Sequence, residues 1–130
     1  MKVKKKIKHK SKWKVCDEIW SQVVRQRAEY ESEYSGKPYD KENGIYLCAH
    51  HLIGKPNYRM RYELLNGFCL TLGEHKWIAH HEGRVAAFKE VVKSVRGDDI
   101  FEILDEMYRL SKTGKTDLTL IKLYLEGELK

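Results

Sequence analysis

Apolar side chains recur at three- and four-residue steps through Ile19, Trp20, Val23, Val24 and Ala28, the spacing that lines one face of an α-helix. Asp17 stands where a carboxylate can cap that helix, Tyr34 extends the stripe, and Gly36 is its expected stop. Pro38 and the Asn43-Gly44 pair mark residues 37–44 as a loop. The period then changes to two. Ile45, Leu47, Ala49, His51 and Ile53 alternate with Tyr46, Cys48, His50 and Leu52, which predicts a strand with its two adjacent histidines on opposite faces.

Residues 54–63, with Lys55, Pro56, Asn57, Arg59 and Arg61, read as a long polar connection to a second strand over 67–72. Gly73 breaks that strand, Glu74 suits a helix start, and residues 75–81 follow as a short helical piece interrupted by Gly83. Val85, Phe88, Val91, Val92 and Val95 then predict an amphipathic helix closed by Gly97. Two more helices are expected over about 98–110 and 117–129, joined by residues 112–115. The expectation is a mostly helical α+β chain, in which a short two-stranded sheet and its following helix are flanked by N- and C-terminal helices.

A chain of 130 residues suits one modest domain with appendages. No apolar run reaches the roughly 18 residues that cross a bilayer, and the N-terminal lysines have no apolar segment behind them, so neither a membrane span nor a signal peptide is expected. Cys16, Cys48 and Cys69 are an odd number at wide spacings, which suits a reducing, cytoplasmic compartment. The net charge of +6 is uneven. The first 14 residues hold eight lysines and no acid, leaving 17 basic against 19 acidic groups in the remainder. Residues 1–15 therefore read as a flexible basic tail that either strengthens binding to a phosphate backbone without reading sequence, or serves as a solubilising or targeting segment. Residues 16–97 form the expected domain, and 98–130 a helical extension packed on it.

Five of the six histidines fall between residues 50 and 81, as His50-His51, His75 and His80-His81. Neutral imidazole binds divalent metals and transfers protons near neutral pH, so the cluster points to metal-assisted or acid–base chemistry. The run His50-His51-Leu52-Ile53, then Arg61, Asn66-Gly67 and Glu74-His75-Lys76-Trp77, resembles the HNH nuclease motif. Asn66 lies 15 residues after His51 and His75 nine after Asn66. With Trp20 to Glu31 preceding the motif, the likeness runs from about residue 16 to residue 90 and is greatest to phage HNH proteins of the NinG-like recombination type.

In that family a ββα unit holds one divalent ion, here Mg, Mn, Ni or Zn. The resemblance implies that His50 and His75 bind it, that His51 takes a proton from water, and that Asn66 hydrogen-bonds the backbone of the long loop to hold His51 in one orientation. An ordinary Asn-Gly turn is the alternative reading of Asn66. The expected third ligand is His80, with His81 or a water or phosphate oxygen as the alternatives; His80 sits at i+5 from His75, about 140° round a regular helix, so an irregular turn is required to bring it in. Arg61, Arg59, Lys55 and Lys76 would contact DNA phosphates, or lie as solvated surface charges. Trp13, Trp20 and Trp77 are expected in packing roles rather than as base-stacking platforms.

Relatives often carry two Cys-x-x-Cys knuckles around a structural zinc. Those places here read Ser32-Glu33-Tyr34-Ser35 and Cys69-Leu70-Thr71-Leu72, so no structural zinc is expected, and Cys48 and Cys69 read as small buried apolar residues. The resemblance implies a metal-dependent DNA endonuclease of phage or mobile-element origin, acting in the bacterial host cytoplasm, with no membrane partner and with a homodimer as one open possibility. A decayed HNH fold that only binds DNA or bridges other proteins is the alternative, and a metal-binding regulator is a third.

Overall fold

The computed structural model describes residues 11–54, 58–79, 81–111 and 116–130. Helix α1 (Lys12–Arg27) leads, and an irregular loop then carries the chain to strand β1 (Leu47–His51). A one-turn helix α2 (Tyr58–Arg61) and a 3-10 turn (Leu64–Asn66) lie in the connection to β2 (Gly67–Thr71). Four helices follow: α3 (Leu72–Ala79), α4 (Glu82–Arg96), α5 (Ile100–Ser111) and α6 (Leu118–Glu128). The chain is mostly helical, as the periodicity predicts. None of the described helices is long and apolar enough to cross a membrane.

The two strands pair antiparallel, with Ala49 opposite Cys69, His50 opposite Phe68 and His51 opposite Gly67. Their alternation divides the core into two clusters, one on each face. Leu47, Ala49 and Cys69 face Cys16, Trp20, Val23 and Val24 of α1, together with Tyr62, Leu64 and Leu125. Phe68, Leu70 and Cys48 face Met60, Ile78, Phe88, Val92, Ile100 and Leu104. Every residue of β2 is buried, because helices cover both of its sides.

The C-terminal region is more than an extension laid on a finished core. Leu104 of α5 and Leu125 of α6 are each fully buried, one in each cluster. Burying a leucine stabilises by about 1.5–3 kcal/mol, so both faces of the sheet depend on residues beyond position 97. Helix α6 is capped by Asp117, whose carboxylate accepts from the Thr119 and Leu120 amides.

Helix α1 differs from its expected limits at both ends. It begins at Lys12 after Ser11, placing Asp17 inside the helix rather than at its cap and drawing residues 12–15 out of the presumed tail. The Trp13 carbonyl accepts from the Tyr62 hydroxyl, and Cys16 is fully buried, so this first turn is fixed by tertiary contacts. The helix ends at Arg27, and the chain turns away through Glu29 and Tyr30, both with positive φ. Gly36 therefore lies in the following loop, and Tyr34 packs against Phe88 on the opposite core face. Gly83, expected to interrupt the helical piece that follows the second strand, lies instead inside α4, which starts at Glu82.

Candidate functional site

The alternation of β1 separates the adjacent histidines. His50 shares its face with Phe88 and His75, while His51 meets Trp20 of α1. A cleft of about 430 Å³ passes along this end of the strand, lined by Asp17, Trp20, Ser21, Ala49, His50, His51, Gly54 and His75. Because residues 49–51 point to alternate faces yet all line it, the cleft runs past the strand between α1 and α3.

A capping box places His75. The Thr71 hydroxyl accepts from the Glu74 amide, and the Glu74 carboxylate accepts from the Thr71 amide, so β2 passes straight into α3. His75 follows on the first turn, and its ring centroid lies 5.0 Å from that of His50 with the planes at 62°. Two imidazoles on one cation with metal–nitrogen bonds of about 2.05 Å would have centroids about 4.5 Å apart at a right angle and about 5.2 Å apart at the tetrahedral angle. The observed separation lies between these. Burial, together with the neighbouring His75 and His51, lowers the His50 pKa to about 4, so at neutral pH its ring is uncharged and retains a ligand lone pair.

His51 is held differently. Its ring stacks on Trp20 with centroids 4.1 Å apart and planes 10° from parallel, and its Nε2 lies 2.8 Å from the Arg61 carbonyl. A carbonyl oxygen only accepts, so Nε2 carries the hydrogen and the lone pair of the neutral ring is on Nδ1. Helix α1 grips the three residues around that carbonyl in succession. Asp17 accepts two 2.6 Å bonds from the Arg61 guanidinium, the Trp13 carbonyl accepts from Tyr62, and Trp20 Nε1 donates to the Glu63 carbonyl at 3.1 Å.

Asn66 is completely buried. Its side-chain oxygen accepts from the Ile53 amide at 2.9 Å, while its nitrogen donates to the carbonyls of Ile53 and Met60 at 3.3 and 3.1 Å. Its own carbonyl accepts from the Leu52 amide. One side chain thus ties together the start and the end of the connection that leaves His51, which is more than an Asn-Gly turn asks of it.

The other expected site residues are distributed unevenly. His80 and Lys55 lie outside the described residues. His81 is exposed, precedes α4 and has its ring 6.2 Å from that of Trp77, and it does not line the cleft. Among the described residues, no three His, Cys, Asp or Glu side chains converge as a ligand set; the converging pair is His50 and His75. Arg59 and Lys76 are exposed. Arg61, expected to reach toward phosphates, has its guanidinium engaged by Asp17 and lying over the Trp13 ring. Of the tryptophans only Trp20 is buried, whereas Trp13 and Trp77 are partly exposed, the latter beneath the Arg84 guanidinium. Compared with family models, curated proteins and solved structures, the chain gives no match.

The two segments standing at the knuckle positions meet, and hydrogen bonds join them. The Glu33 amide donates to the Cys69 carbonyl, the Cys69 amide donates to the Glu33 carboxylate, and the Ser32 hydroxyl donates to Glu74 at 2.6 Å. Burial alone would raise the Glu74 pKa, but the bonds from Ser32, Ser35 and Thr71 outweigh it and leave the carboxyl lowered. Arg96 completes the set by pairing with Glu33 and donating to the Gly67 carbonyl. Burial raises Cys48 to about 11 and Cys69 to about 12, so both remain protonated thiols at neutral pH.

Sequence reasoning missed Asp17 as a partner of Arg61 and Trp20 as the platform for His51. Their i, i+3 spacing puts them on one helix face, yet nothing local indicates what that face meets. The capping box was visible as Thr71-Leu72-Gly73-Glu74.

Proposed function

We propose that this chain is an HNH-type, metal-dependent endonuclease that hydrolyses phosphodiester bonds in DNA. The observation that carries the reading is the pairing of two imidazoles at cation-sharing distance with a third, on the adjacent residue, fixed by a carbonyl beside the same cleft. A divalent cation, when bound, supplies Lewis-acid stabilisation of the charge that builds on the scissile phosphate and leaving oxygen.

The chain's own residues do the rest. His50 and His75 would hold the ion through their ring nitrogens, and His80 is the proposed third donor. His51 takes a proton from the attacking water through Nδ1, since its hydrogen is committed at Nε2. Asn66 ties Ile53 to Met60 across the connection that leaves His51, which helps to keep His51 in one place at the cleft. Arg59, Lys76 and Lys55 are proposed phosphate contacts, assisted by the lysine-rich N-terminal segment; such contacts strengthen binding without reading bases.

The test is cleavage of supercoiled plasmid with Mg²⁺, Mn²⁺ or Ni²⁺, its suppression by EDTA, and its loss in His51→Ala with DNA retention in a gel unchanged. Wild-type protein that retards DNA but relaxes no plasmid with any of these ions would leave a DNA-binding role in place of the nuclease.

A further inference from the structure

We propose that Asp17 is a positioning residue for His51, acting through the Arg61 backbone: by clamping the Arg61 guanidinium it fixes the carbonyl that selects the tautomer and direction of the His51 ring. The inference rests on the nuclease reading for its consequence in catalysis, but the geometry that carries it is independent of a metal.

The chain of contacts is short and continuous. His51 Nε2 lies 2.8 Å from the Arg61 carbonyl, and the side chain of the same residue makes two 2.6 Å bonds to Asp17. Arg61 is the last residue of a four-residue helix, an element too short to hold its own carbonyl in place. Asp17, by contrast, sits in the second turn of a 16-residue helix anchored by buried Cys16 and Trp20 on either side of it. A two-point contact between carboxylate and guanidinium fixes orientation as well as distance, which a single bond does not. The pair is partly shielded, with side-chain exposures of 21% and 30%, so it is less loosened by solvent than a surface pair. Trp20, one turn further along the same face, presents its ring to His51. Helix α1 therefore controls both the face and the hydrogen bond of the imidazole.

This makes a specific demand on the acidic group. An Asp17 that served only to hold α1 to the loop would, when removed, lower stability without changing the state of the His51 ring. An Asp17 that positions His51 would, when removed, loosen the carbonyl and let hydrogen exchange between Nε2 and Nδ1, so that fewer molecules offer Nδ1 to the water.

The experiment compares wild type, Asp17→Asn, Asp17→Glu and Arg61→Lys by plasmid cleavage with Mn²⁺, by DNA binding, and by ¹⁵N spectra of the histidine rings in the metal-free protein. Asp17→Asn is expected to lower kcat by about 10- to 100-fold with KM within about twofold, and to shift His51 from the Nε2–H tautomer toward a mixture. Asp17→Glu restores most of both, and Arg61→Lys, which keeps the charge but not the two-point contact, repeats the loss in a milder form. Arg61→Lys carries the test if Asp17→Asn does not fold. Unchanged kcat and an unchanged His51 tautomer would overturn the inference and leave the nuclease reading standing. Faster cleavage in Asp17→Asn would overturn it as well, showing that Asp17 competes with phosphate for Arg61. If the wild type cleaves nothing, the nuclease reading falls, and the ring spectra alone decide whether Asp17 orients His51.

Discussion

Trp20 lies flat against His51, with the ring centroids 4.1 Å apart, and the same indole donates from Nε1 to the Glu63 carbonyl. Helix α1 and the connection after β1 thus meet on a single side chain that is both core and site wall. Gly67 permits this contact. A Cβ there would run into Val24 Cγ2 and approach the Trp20 ring. Gly67→Ala is expected to displace Trp20 and to destabilise by about 1–3 kcal/mol, read as a lowered midpoint in urea. Trp20 fluorescence should shift with it, whereas Gly83→Ala, at a helical position where a Cβ meets nothing, should leave the fluorescence unchanged and should not lower the midpoint.

Asn66 makes the second structural prediction. Replacing it with alanine strands an amide and two carbonyls in a region where the side chain has no exposure. A loss of about 2–4 kcal/mol is expected from urea denaturation, since each buried unpaired group costs about 1–3 kcal/mol and relaxation recovers part of it. Asn66→Asp should also destabilise, because a carboxylate has no hydrogen to give the Met60 and Ile53 carbonyls. A change of under 0.5 kcal/mol in both variants would show that the loop needs no brace.

The third prediction concerns acid. His50 is held neutral, mainly by burial and then by His75 and His51, with its pKa lowered from 6.5 to about 4. Below pH 6.5 the unfolded chain takes up a proton that the folded chain refuses, so stability falls as the pH drops from about 6.5 toward 4 and is fully retained above that window. Urea midpoints measured in EDTA across pH 4–8 should show this slope, and His50→Gln should flatten it. An identical slope in the variant would assign the acid sensitivity to other groups.

A fourth prediction concerns the basic N-terminal segment and where it can be cut. The helix begins at Lys12, Tyr62 is bonded to the Trp13 carbonyl, and Lys12 reaches Thr119. A deletion of residues 2–10 should leave the melting temperature within a few degrees while weakening DNA binding and lowering its salt dependence, with a slope change of several units if most of the six lysines removed contact phosphate. Deleting residues 2–14 should also destabilise the fold. An equal salt slope before and after the shorter deletion would remove this segment from the phosphate contacts.

The periodicity of the chain was enough for the helices after Gly83 and for the placement of the two strands. Period-two alternation also separated His50 from His51, because facing direction along a strand is a local property. The Asn66 and His75 spacings, read against a family resemblance, picked out the residues gathered around the loop and cleft. Local pattern did not disclose that α1 starts at Lys12, since a lysine-rich first turn looks like solvated tail until Trp13 and Cys16 find their partners.

What the sequence determined by itself was the set of elements and the chemistry of their side chains, because propensity, alternation and capping are decided within a few residues. Only the tertiary structure decided that Asp17 faces Arg61, that Trp20 faces His51 and that Ser32 faces Glu74, pairs separated by 31 to 44 residues. Such contacts depend on how two helices and a sheet pack once their apolar faces are buried, and no local rule specifies which polar groups are then left opposite one another.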